Sequence, residues 1–528
     1  MYRVLISDPL PPDARQILLA EPGLEVVEQS ERLEEVVPSI HGWIVRSGTQ
    51  VTADLLERAT KLRCVCRAGA GVDNVDLQAA TKHGVVVMNT PGSNARAAAE
   101  LTVALMMSLA RHIPFAHAQL SNGKWNRKDF TGTEVKGKTV GIVGMGRVGA
   151  HVARMARGLD MNVIAVDPFL SPDAAKQLGA EPRTFEDMLP DADFITLHTP
   201  LTDGTRGLMG EANLARCKRG VRIVNCSRGE VVDESGLLAA LASGQVGGAA
   251  LDVFAQEPLP ASSPYLGHPR IIVTPHLGAS TVEAQEQVAT ASARQVAAYL
   301  LHGTVENAVN AASLAGDDAT RYSPIAQLAR QLGWLLAHTL DEAPRSLTVE
   351  LEDQDNIALL QRLVTDHALA GFLQPSAEVL VNTVNARLIA RERGLDIVFR
   401  CRTRQTDWIR WVGLEVQGAS GSRRLEGAVV GRNSLRLVRL DEYLLDASLE
   451  GPLLLTRSDD RPGMMGRVGG VLGGLGLNIA NLSLGRDRAG GSALSVFQLD
   501  DAPSAAALQR IQQEEGVTWA RAVPSPPS

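Results

Sequence analysis

Three ionisable residues in the middle third of the chain have the types and spacing needed for coupled proton and hydride chemistry. Arg228 lies in NCSRGE, Glu257 in DVFAQEP and His276 in TPHLGAS, each shortly after an apolar run. A guanidinium can bind a carboxylate through two N–H groups and polarise a carbonyl oxygen. An imidazole can accept a hydroxyl proton as a hydride departs, and a neighbouring carboxylate orients it. We therefore predict these three as catalytic residues for the oxidation of a 2-hydroxy acid.

Each of these residues also has an ordinary structural explanation. An arginine after a strand commonly forms a surface ion pair, and a glutamate before proline commonly lies in a solvated loop. A histidine in a Pro-His turn is often a hydrogen-bonded structural residue. The catalytic interpretation therefore depends on the three occurring together, downstream of a cofactor-binding pattern.

A glycine-rich turn supplies that pattern. Gly144, Gly146 and Gly149 stand in a G-x-G-x-x-G spacing between an apolar run and a helical stretch, and Asp167 ends the next run. These glycines permit a tight turn, close approach of a pyrophosphate and close helix–strand packing, while the helix start offers unpaired N–H groups. The aspartate can accept hydrogen bonds from ribose hydroxyls and repels a 2′-phosphate. The pattern predicts NAD, in preference to NADP; the alternative is a glycine turn that binds nothing.

The elements that must position these residues alternate between short apolar runs and amphipathic stretches. This alternation predicts βα units around parallel sheets, with one long helix from Asn94 to Ile113. The runs predicted as strands are YRVLIS (2–7), GWIVR (42–46), RCVCRAG (63–69), VVVMNT (85–90) and, from 138 to about 275, KTVGIVG, MNVIAVD, FITLHTP, VRIVNCS, AALDVF and RIIVTP.

The C-terminal part of the chain has a different pattern. Helices are expected over 324–340 and 355–370, and paired strands over 387–418. The last unit, 452–523, predicts the element sequence βαββαβ. Its glycines imitate a second dinucleotide turn, but no acidic residue ends the strand that follows, so that interpretation fails.

Composition limits the possible functions. At roughly 150 residues per domain, 528 residues predict three or four domains. With 52 basic and 59 acidic residues the net charge is −7, which argues against a nucleic-acid partner. We expect no membrane span, because no apolar stretch approaches 18 residues. We expect no secretory leader and a cytoplasmic location, because the short apolar start of MYRVLISDPL is followed by an aspartate and prolines. Five scattered cysteines predict no metal site.

Eight motifs carry a resemblance to a known family: HGWIVRS, CRAGAGVDNVD, VVVMNTPGSNARAAAELT, GKTVGIVGMGRVG, ITLHTPLT, VNCSRGE, AALDVFAQEP and TPHLGAST. They resemble those of the D-2-hydroxyacid dehydrogenases. More narrowly, they resemble the long-form branch that oxidises 3-phospho-D-glycerate to 3-phosphohydroxypyruvate with NAD, the first step of the phosphorylated pathway of L-serine synthesis.

The resemblance implies an α/β architecture of four units. A Rossmann-like doubly wound NAD-binding domain (93–283) is inserted in a flavodoxin-like substrate-binding domain (1–92 and 284–310). An α+β intervening domain (312–447) and a βαββαβ ACT domain (452–523) follow. Relatives also imply a homotetramer.

The resemblance further assigns cofactor contacts by motif. Asp167 would bind the ribose, and Asp252 would lie near the nicotinamide. At position 70 this chain has Ala70 instead of the residue common in the family. Only the backbone of Ala70 could make the contact that the family makes there. The remaining implied contacts are Arg147 and Val148 at the pyrophosphate, Thr199, Cys226, Ser227 and Gly278.

A phosphate-binding site is predicted from residues at predicted strand ends. Arg46 and Arg67 each end a run, and the Gly69 turn presents backbone N–H groups that can cradle an anion. Asn94, where the chain crosses between domains, would complete this site. Arginines that simply face solvent are the alternative.

The ACT-like unit suggests an effector site. Its DRPG motif and following strand place Asp460 and Asn478 in the pattern that relatives use to hold L-serine, while a purely structural glycine-rich helix is the alternative. The intervening unit also carries a basic run that indicates a solvated strand face or an anion site: Arg391, Arg393, Arg400, Arg402, Arg404 and Arg410.

Two rival functions remain open. One is a hydroxypyruvate or glyoxylate reductase, disfavoured by the additional domains and the phosphate-site arginines. The other is a Rossmann module kept as an NAD sensor or corepressor, in which a broken catalytic triad is expected. Because all three members are present, we predict an NAD-dependent dehydrogenase acting on 3-phosphoglycerate.

Overall fold

The computed structural model describes residues 1–29, 31–312, 317–352, 357–377, 380–402, 410–418 and 421–526. Their strands form sheets of five, seven, six and four strands. The predicted α/β class, with parallel sheets first and mixed or antiparallel sheets after them, is confirmed. No helix in these ranges has the length and apolarity to cross a membrane.

The first sheet is parallel, with strand order β2-β1-β3-β4-β5. This is the flavodoxin-like order, in which the direction of winding reverses between β1 and β3. Its elements are β1 (Tyr2–Ile6), α1 (Pro12–Ala20), β2 (Leu24–Glu28), α2 (Leu33–Val36), β3 (Gly42–Val45), α3 (Ala53–Arg58), β4 (Cys64–Arg67), α4 (Leu77–Lys82) and β5 (Val86–Asn89).

The chain then leaves this sheet through two helices, α5 (Ala95–Arg111) and α6 (Ile113–Ser121). The predicted helix Asn94–Ile113 is confirmed as α5, which ends at Arg111 because His112 adopts a left-handed conformation, with φ 55°; helix α6 was not predicted. That residue ends the hydrogen-bonding of α5 and turns the chain before Pro114, which suits the first turn of a new helix.

The second sheet is also parallel, and its order β12-β11-β10-β9-β6-β7-β8 is that of a doubly wound dinucleotide fold. It has seven strands where six were predicted, the extra one being a two-residue edge strand. Its elements are β6 (Thr139–Val143), α7 (Arg147–Gly158), β7 (Asn162–Val166), α8 (Pro172–Gln177), β8 (Glu181–Pro182), α9 (Phe185–Met188), β9 (Phe194–Leu197), α10 (Glu211–Arg216), β10 (Val221–Asn225), α11 (Glu234–Ala242), β11 (Val246–Leu251) and β12 (Ile271–Val273).

A long helix, α12 (Val282–His302), returns the chain to the first sheet. Its buried residues Val288, Ala293 and Val296 join the same apolar core as Val4 and Ile44 of the first sheet. The seven-stranded unit is therefore inserted within the five-stranded one, as the resemblance implied. We call the five-stranded sheet with its helices and α12 the first lobe, and the seven-stranded unit the second lobe.

The six-stranded sheet (order β14-β13-β15-β16-β17-β18) packs against helices α13 and α14. Residues Ala386–Glu392, predicted as strand, form a helix because Ala386 and Ala390 lie one turn apart and are both buried. A strand between the two long helices was also missed. The elements are α13 (Asp317–His338), β13 (Ser346–Glu352), α14 (Ile357–Leu373), α15 (Ala386–Glu392), β14 (Asp396–Arg402), β15 (Trp411–Gln417), β16 (Ser422–Val430), β17 (Ser434–Leu440) and β18 (Tyr443–Ser448).

The last unit has the predicted βαββαβ order, with an antiparallel sheet ordered β20-β21-β19-β22. Leu455 and Val496 of this sheet belong to the same apolar core as Leu414 of the preceding unit, so the two C-terminal units are packed as one body. The elements are β19 (Leu453–Asp459), α16 (Met464–Gly474), β20 (Ile479–Arg486), β21 (Ser492–Leu499), α17 (Ala505–Gln512) and β22 (Val517–Val523).

Candidate active site

The glycine turn lies between β6 and α7, at the point where the winding of the seven-stranded sheet reverses. Gly144 has φ 95°, and a Cβ there would come within 2.6 Å of the His198 carbonyl oxygen that follows β9. A Cβ at Gly149 would overlap the Gly144 carbonyl, whereas Gly146 faces open space. Gly146 brings no side chain to cap α7, so the first-turn N–H groups of that helix stay available to a pyrophosphate.

Asp167 stands at the end of β7 beside this turn. One carboxylate oxygen accepts the Met145 N–H at 2.8 Å, and the other accepts the Phe169 N–H at 2.9 Å. A carboxylate oxygen has two lone-pair sites, so each can also accept a ribose hydroxyl. The two backbone donors hold the carboxylate at the lip of the turn, as a dinucleotide fold requires.

Two side chains after β9 have buried polar atoms that find no partner within the described ranges: Thr199 Oγ1 and His198 Nε2. Burial lowers the pKa of His198 to about 4, so its imidazole is neutral. Buried polar atoms are normally satisfied, and a ligand with hydroxyl and phosphate groups would satisfy these. The residues around the turn therefore fit a dinucleotide.

The other residues assigned to the cofactor lie around the same crevice. Arg147 extends from the first turn of α7 to donate to the Pro91 carbonyl, between the two lobes. Val148 is half-buried beside it. Across the sheet, Cys226 follows β10, and burial raises the pKa of its thiol to about 12.

His276 and Glu257 form a hydrogen-bonded pair, with 2.7 Å between His276 Nδ1 and Glu257 Oε2. Burial alone would raise the pKa of Glu257, but hydrogen bonds from His276 and the Phe254 N–H lower it below its ordinary value. An ionised carboxylate only accepts, so Nδ1 carries the proton and Nε2 is left as a base. In the described part of the chain no group forms a hydrogen bond with His276 Nε2.

Asp252 lies directly beneath the loop that carries His276 and is completely buried. Its carboxylate accepts hydrogen bonds from Thr274 Oγ1 at 2.6 Å, from the Leu277 N–H at 2.7 Å and from the Gly278 N–H at 2.9 Å. Burial raises the pKa of this carboxyl group. In this arrangement Asp252 holds the loop that presents the imidazole.

Arg228 follows β10 in a turn organised by Asn225. The Asn225 amide accepts from the Ser227 N–H and hydroxyl and donates to the Arg228 carbonyl. The guanidinium donates to the Ser227 carbonyl at 2.7 Å and to Asp73 Oδ2 at 3.1 Å. Asp73 belongs to the first lobe, so this ion pair crosses the cleft.

The predicted phosphate residues lie on the first-lobe side of that cleft. Arg67 ends β4, and burial followed by the nearby charge of Arg228 lowers its pKa. Its Nε is buried without a partner within the described residues. A Cβ at Gly69 would lie 2.6 Å from the Arg67 guanidinium, so a side chain there would displace that group. Arg46 contributes a further nearby charge, and Asn94 caps α5 without using its side chain.

A cavity of ≈ 540 Å³ adjoins the imidazole–carboxylate pair and runs between the two lobes. His276 and Glu257 form one wall, Ser47 of the first lobe another, and Leu259 and Leu266 an apolar side. Arg228 lies within electrostatic range of both Glu257 and Arg67, so the predicted catalytic residues and the predicted phosphate arginines lie near one another at this cleft.

Sequence reasoning missed Asn225 and Asp73. Asn225 was visible as a polar residue inside the predicted strand VRIVNCS, three positions before Arg228. Asp73 stands in CRAGAGVDNVD, a motif used only for resemblance, and nothing local connects it with Arg228, 155 positions away.

In the last unit, Asp460 lines a cavity of ≈ 490 Å³ at the start of α16, together with Ser458, Gly463 and Arg486. Ser458 Oγ is buried with no partner within the described residues. Asn478 does not line this cavity; its amide donates to Asp500 at 2.8 Å. The two predicted effector residues are therefore apart within one chain.

The basic run of the intervening unit does not form one strand face: Arg391 lies in α15 and Arg393 caps it, whereas Arg400 and Arg402 lie on β14. Arg402 donates to the fully buried Glu350 at 2.7 Å, and Arg400 lies 3.7 Å from the same carboxylate. Arg393 donates to Ser376 at the end of α14. Arg404 lies outside the described residues.

Family models match three parts of the chain. Residues 103–278 match the NAD binding domain of D-isomer specific 2-hydroxyacid dehydrogenases. Residues 321–441 match the D-3-phosphoglycerate dehydrogenase intervening domain, and 453–516 match the ACT domain.

Solved structures similar to this chain include a glyoxylate reductase from Paecilomyes thermophila and the NAD-dependent formate dehydrogenase of Staphylococcus aureus in complex with NAD. Both are 28% identical, with TM-scores of 0.54 and 0.52, and each alignment covers 58% of this chain and 98% of the other. This likeness covers just over half of the chain and supports the dehydrogenase fold.

Curated relatives extend the likeness to the whole chain. The D-3-phosphoglycerate dehydrogenase of Bacillus subtilis is 38% identical over 95% of both chains, and that of Methanocaldococcus jannaschii is 36% identical over 97% of this chain and 98% of its own. The enzyme of the same name from Rattus norvegicus is 44% identical over 75% of both. Because full-length relatives and the intervening-domain model agree, the chain belongs to the D-3-phosphoglycerate dehydrogenase family.

Proposed function

We propose that the protein catalyses the NAD-dependent oxidation of 3-phospho-D-glycerate to 3-phosphohydroxypyruvate, the first step of the phosphorylated pathway of L-serine synthesis. The observation that carries this proposal is the meeting of a 2.7 Å imidazole–carboxylate pair with three arginines in one interlobe cleft. A dianionic phosphate and a carboxylate need such a concentration of positive charge.

In the proposed reaction, Arg228 binds the substrate carboxylate and polarises the oxygen at C2. His276 Nε2 takes the proton of the C2 hydroxyl, and Glu257 stabilises the imidazolium that forms. NAD, when bound, supplies the acceptor for the hydride that leaves C2. Asp252 keeps the His276 loop in place during the transfer, so the base stays within reach of the hydroxyl.

Arg46, Arg67, Gly69 and Asn94 are proposed to hold the substrate phosphate. The buried, unpartnered Arg67 Nε supports this role, because an anion would satisfy it. The proposed cofactor contacts, supported by their place around the crevice, are Gly144, Gly146, Arg147, Val148, Gly149, Asp167, Thr199, Cys226, Ser227, Asp252 and Gly278.

The division of labour is proposed to follow the units of the fold. Substrate binding falls to 1–92 and 284–310, NAD binding to 93–283, and regulation to the intervening domain (312–447) and the ACT domain (452–523). A homotetramer and a cytoplasmic location belong to the same proposal. Exposed apolar side chains on and after α6, including Ile113, Leu120 and Trp125, support assembly.

L-Serine is proposed as an effector of the ACT unit. Asp460 can bind an α-ammonium group, and the N-terminus of α16 in the same cavity can bind a carboxylate. Asn478 would reach the ligand from a second copy of the unit, since it lies outside the cavity of its own chain.

The C-terminal body touches the first lobe through Asn382, which donates to the Gly84 carbonyl at 2.6 Å.

The test is NADH formation from 3-phosphoglycerate and NAD, with unphosphorylated glycerate as the matched substrate and with L-serine added. Turnover specific to the phosphorylated acid supports the proposed reaction, and its reduction by serine supports the effector site. Preferred reduction of glyoxylate or hydroxypyruvate would replace the proposal with the reductase. NADH binding without turnover would favour a sensor protein.

A further inference from the structure

The ion pair between Arg228 and Asp73 has a geometry that bears on the reaction. Nε and Nη2 of the guanidinium each lie 3.1 Å from Asp73 Oδ2, and Nη1 donates to the Ser227 carbonyl. A guanidinium carries five N–H donors in a planar fork. One donor on each of Nη1 and Nη2 is left over, and these two together can bind a carboxylate bidentately.

Asp73 is itself held in place, although its carboxylate is mostly exposed. The next residue, Asn74, is buried and donates to the carbonyls of Arg46 and Thr49, both at 2.6 Å. The Asp73 loop is therefore tied to the end of β3, where the phosphate-binding arginine stands. A Cβ at Gly71 would overlap the Arg228 guanidinium, so the glycine permits the close approach of the two lobes.

The Asp73 carboxylate brings a negative charge close to the arginines of the cleft. Burial, followed by the charges of Arg228 and Arg46, lowers the pKa of Arg67, and the charge of Asp73 opposes that shift. The pair joins a loop of the first lobe to a turn of the second, so it forms only when the lobes approach each other. Its formation sets the plane of the Arg228 guanidinium.

We propose that Asp73 is a positioning residue: it holds the Nε edge of Arg228 across the cleft, so that the outer edge of the guanidinium faces the carboxylate of the 2-hydroxy acid substrate. This inference rests on the proposed reaction. Asp73 touches neither substrate nor cofactor and acts through Arg228 alone.

The experiment compares Asp73→Ala, Asp73→Asn and Asp73→Glu with the unmodified enzyme, using 3-phosphoglycerate and NAD. Asp73→Ala is expected to lower kcat/KM at least tenfold, mainly through a higher KM for the acid, with NADH binding unchanged. Asp73→Asn should be intermediate and Asp73→Glu should recover part of the loss. Asp54→Asn removes an exposed charge of the same lobe outside the cleft and serves as the matched control.

A double-mutant cycle distinguishes positioning from a general structural effect. In an Arg228→Ala background, the additional Asp73→Ala change should cause no further loss. Additive losses in the cycle, or an Asp73→Ala enzyme within twofold of the unmodified one, would overturn the inference. If the unmodified enzyme itself fails to oxidise 3-phosphoglycerate, the proposed function fails instead, so the two failures are distinct.

Discussion

The hydrogen bond between His276 and Glu257 allows a prediction about what the carboxylate does: it orients the imidazole, beyond simply lying close to it. Glu257 Oε1 accepts the Phe254 N–H at 3.0 Å, while Oε2 accepts the proton of His276 Nδ1 at 2.7 Å. Glu257→Gln keeps the shape but replaces one acceptor by an NH₂ group. If that group faces His276, Nδ1 must become the acceptor and Nε2 carries the proton, which is the tautomer that cannot take a proton from the substrate.

The opposite amide orientation is also unfavourable. It keeps His276 in the reactive tautomer but places the NH₂ group against the Phe254 N–H, leaving that donor unpaired at a cost of about 1–3 kcal/mol. At 1.36 kcal/mol per factor of ten, populating this reactive orientation costs roughly 5–150-fold in rate. Loss of the charge that stabilises the imidazolium adds to this, for a total of about 10²–10³ within the usual range of acid–base catalysis.

Glu257→Ala provides the informative comparison. It removes the charge and the orientation but leaves the imidazole free to adopt either tautomer. We therefore expect Glu257→Gln to be no more active than Glu257→Ala. The assay is kcat for NADH formation at saturating 3-phosphoglycerate, with NADH binding by fluorescence as the control for an intact cofactor site. A glutamine enzyme retaining more than about a tenth of the original kcat, or exceeding the alanine enzyme tenfold, would refute the reasoning.

Three further predictions follow from buried or hydrogen-bonded carboxylates. Asp252→Ala leaves the buried Gly278 N–H without its acceptor, so the free energy of unfolding in denaturant should fall by about 2–5 kcal/mol. Asp167→Ala removes the ribose acceptor and should raise the KM for NAD about tenfold while making NADP usable, as measured by NADH and NADPH formation. Asp193 is partly buried, which alone would raise its pKa, but hydrogen bonds, first from Lys218, lower it. Asp193→Asn should therefore destabilise the protein above pH 4. The difference in unfolding free energy should shrink as the pH falls below the ordinary pKa of 3.8.

Each of these has a contrary result. An unfolding free energy unchanged by Asp252→Ala would show that water replaces the carboxylate under the loop. Unchanged preference for NAD after Asp167→Ala would place the ribose elsewhere. A difference between Asp193→Asn and the unmodified protein that grows on acidification would reverse the sign of the pKa shift, because a lowered folded pKa stabilises only above the unfolded value.

Much of the dinucleotide unit is predictable from sequence because its determinants are local. The turn at Gly144 and the packing at Gly149 involve residues within one βαβ unit, and Asp167 ends the neighbouring strand of that unit. The βαββαβ order of the last unit was likewise readable from short apolar runs separated by turn residues. Apolar residues repeat every 2 positions in a strand and every 3.6 in a helix, because the backbone geometry of adjacent residues sets these periods.

Local reasoning failed where tertiary packing decides between possibilities. Residues Ala386–Glu392 look equally suited to a strand or a helix until α14 supplies the surface that buries Ala386 and Ala390. Helix α6 was missed because the chain turns at His112 through a left-handed conformation that no side-chain pattern predicts. Arg400 and Arg402 look like a free basic run until Glu350, on the neighbouring strand, is seen to pair with them.

The sequence by itself determined the chemistry available to this protein: an arginine, a glutamate and a histidine near the ends of predicted strands, downstream of a turn shaped for a dinucleotide. Only the tertiary structure decided how those groups are presented. It placed Asp252 under the His276 loop and set Asp73 against Arg228 across the cleft. The first contact exists because β11 and β12 pair in one sheet, and the second because two separately folded lobes meet; neither is encoded by a local pattern.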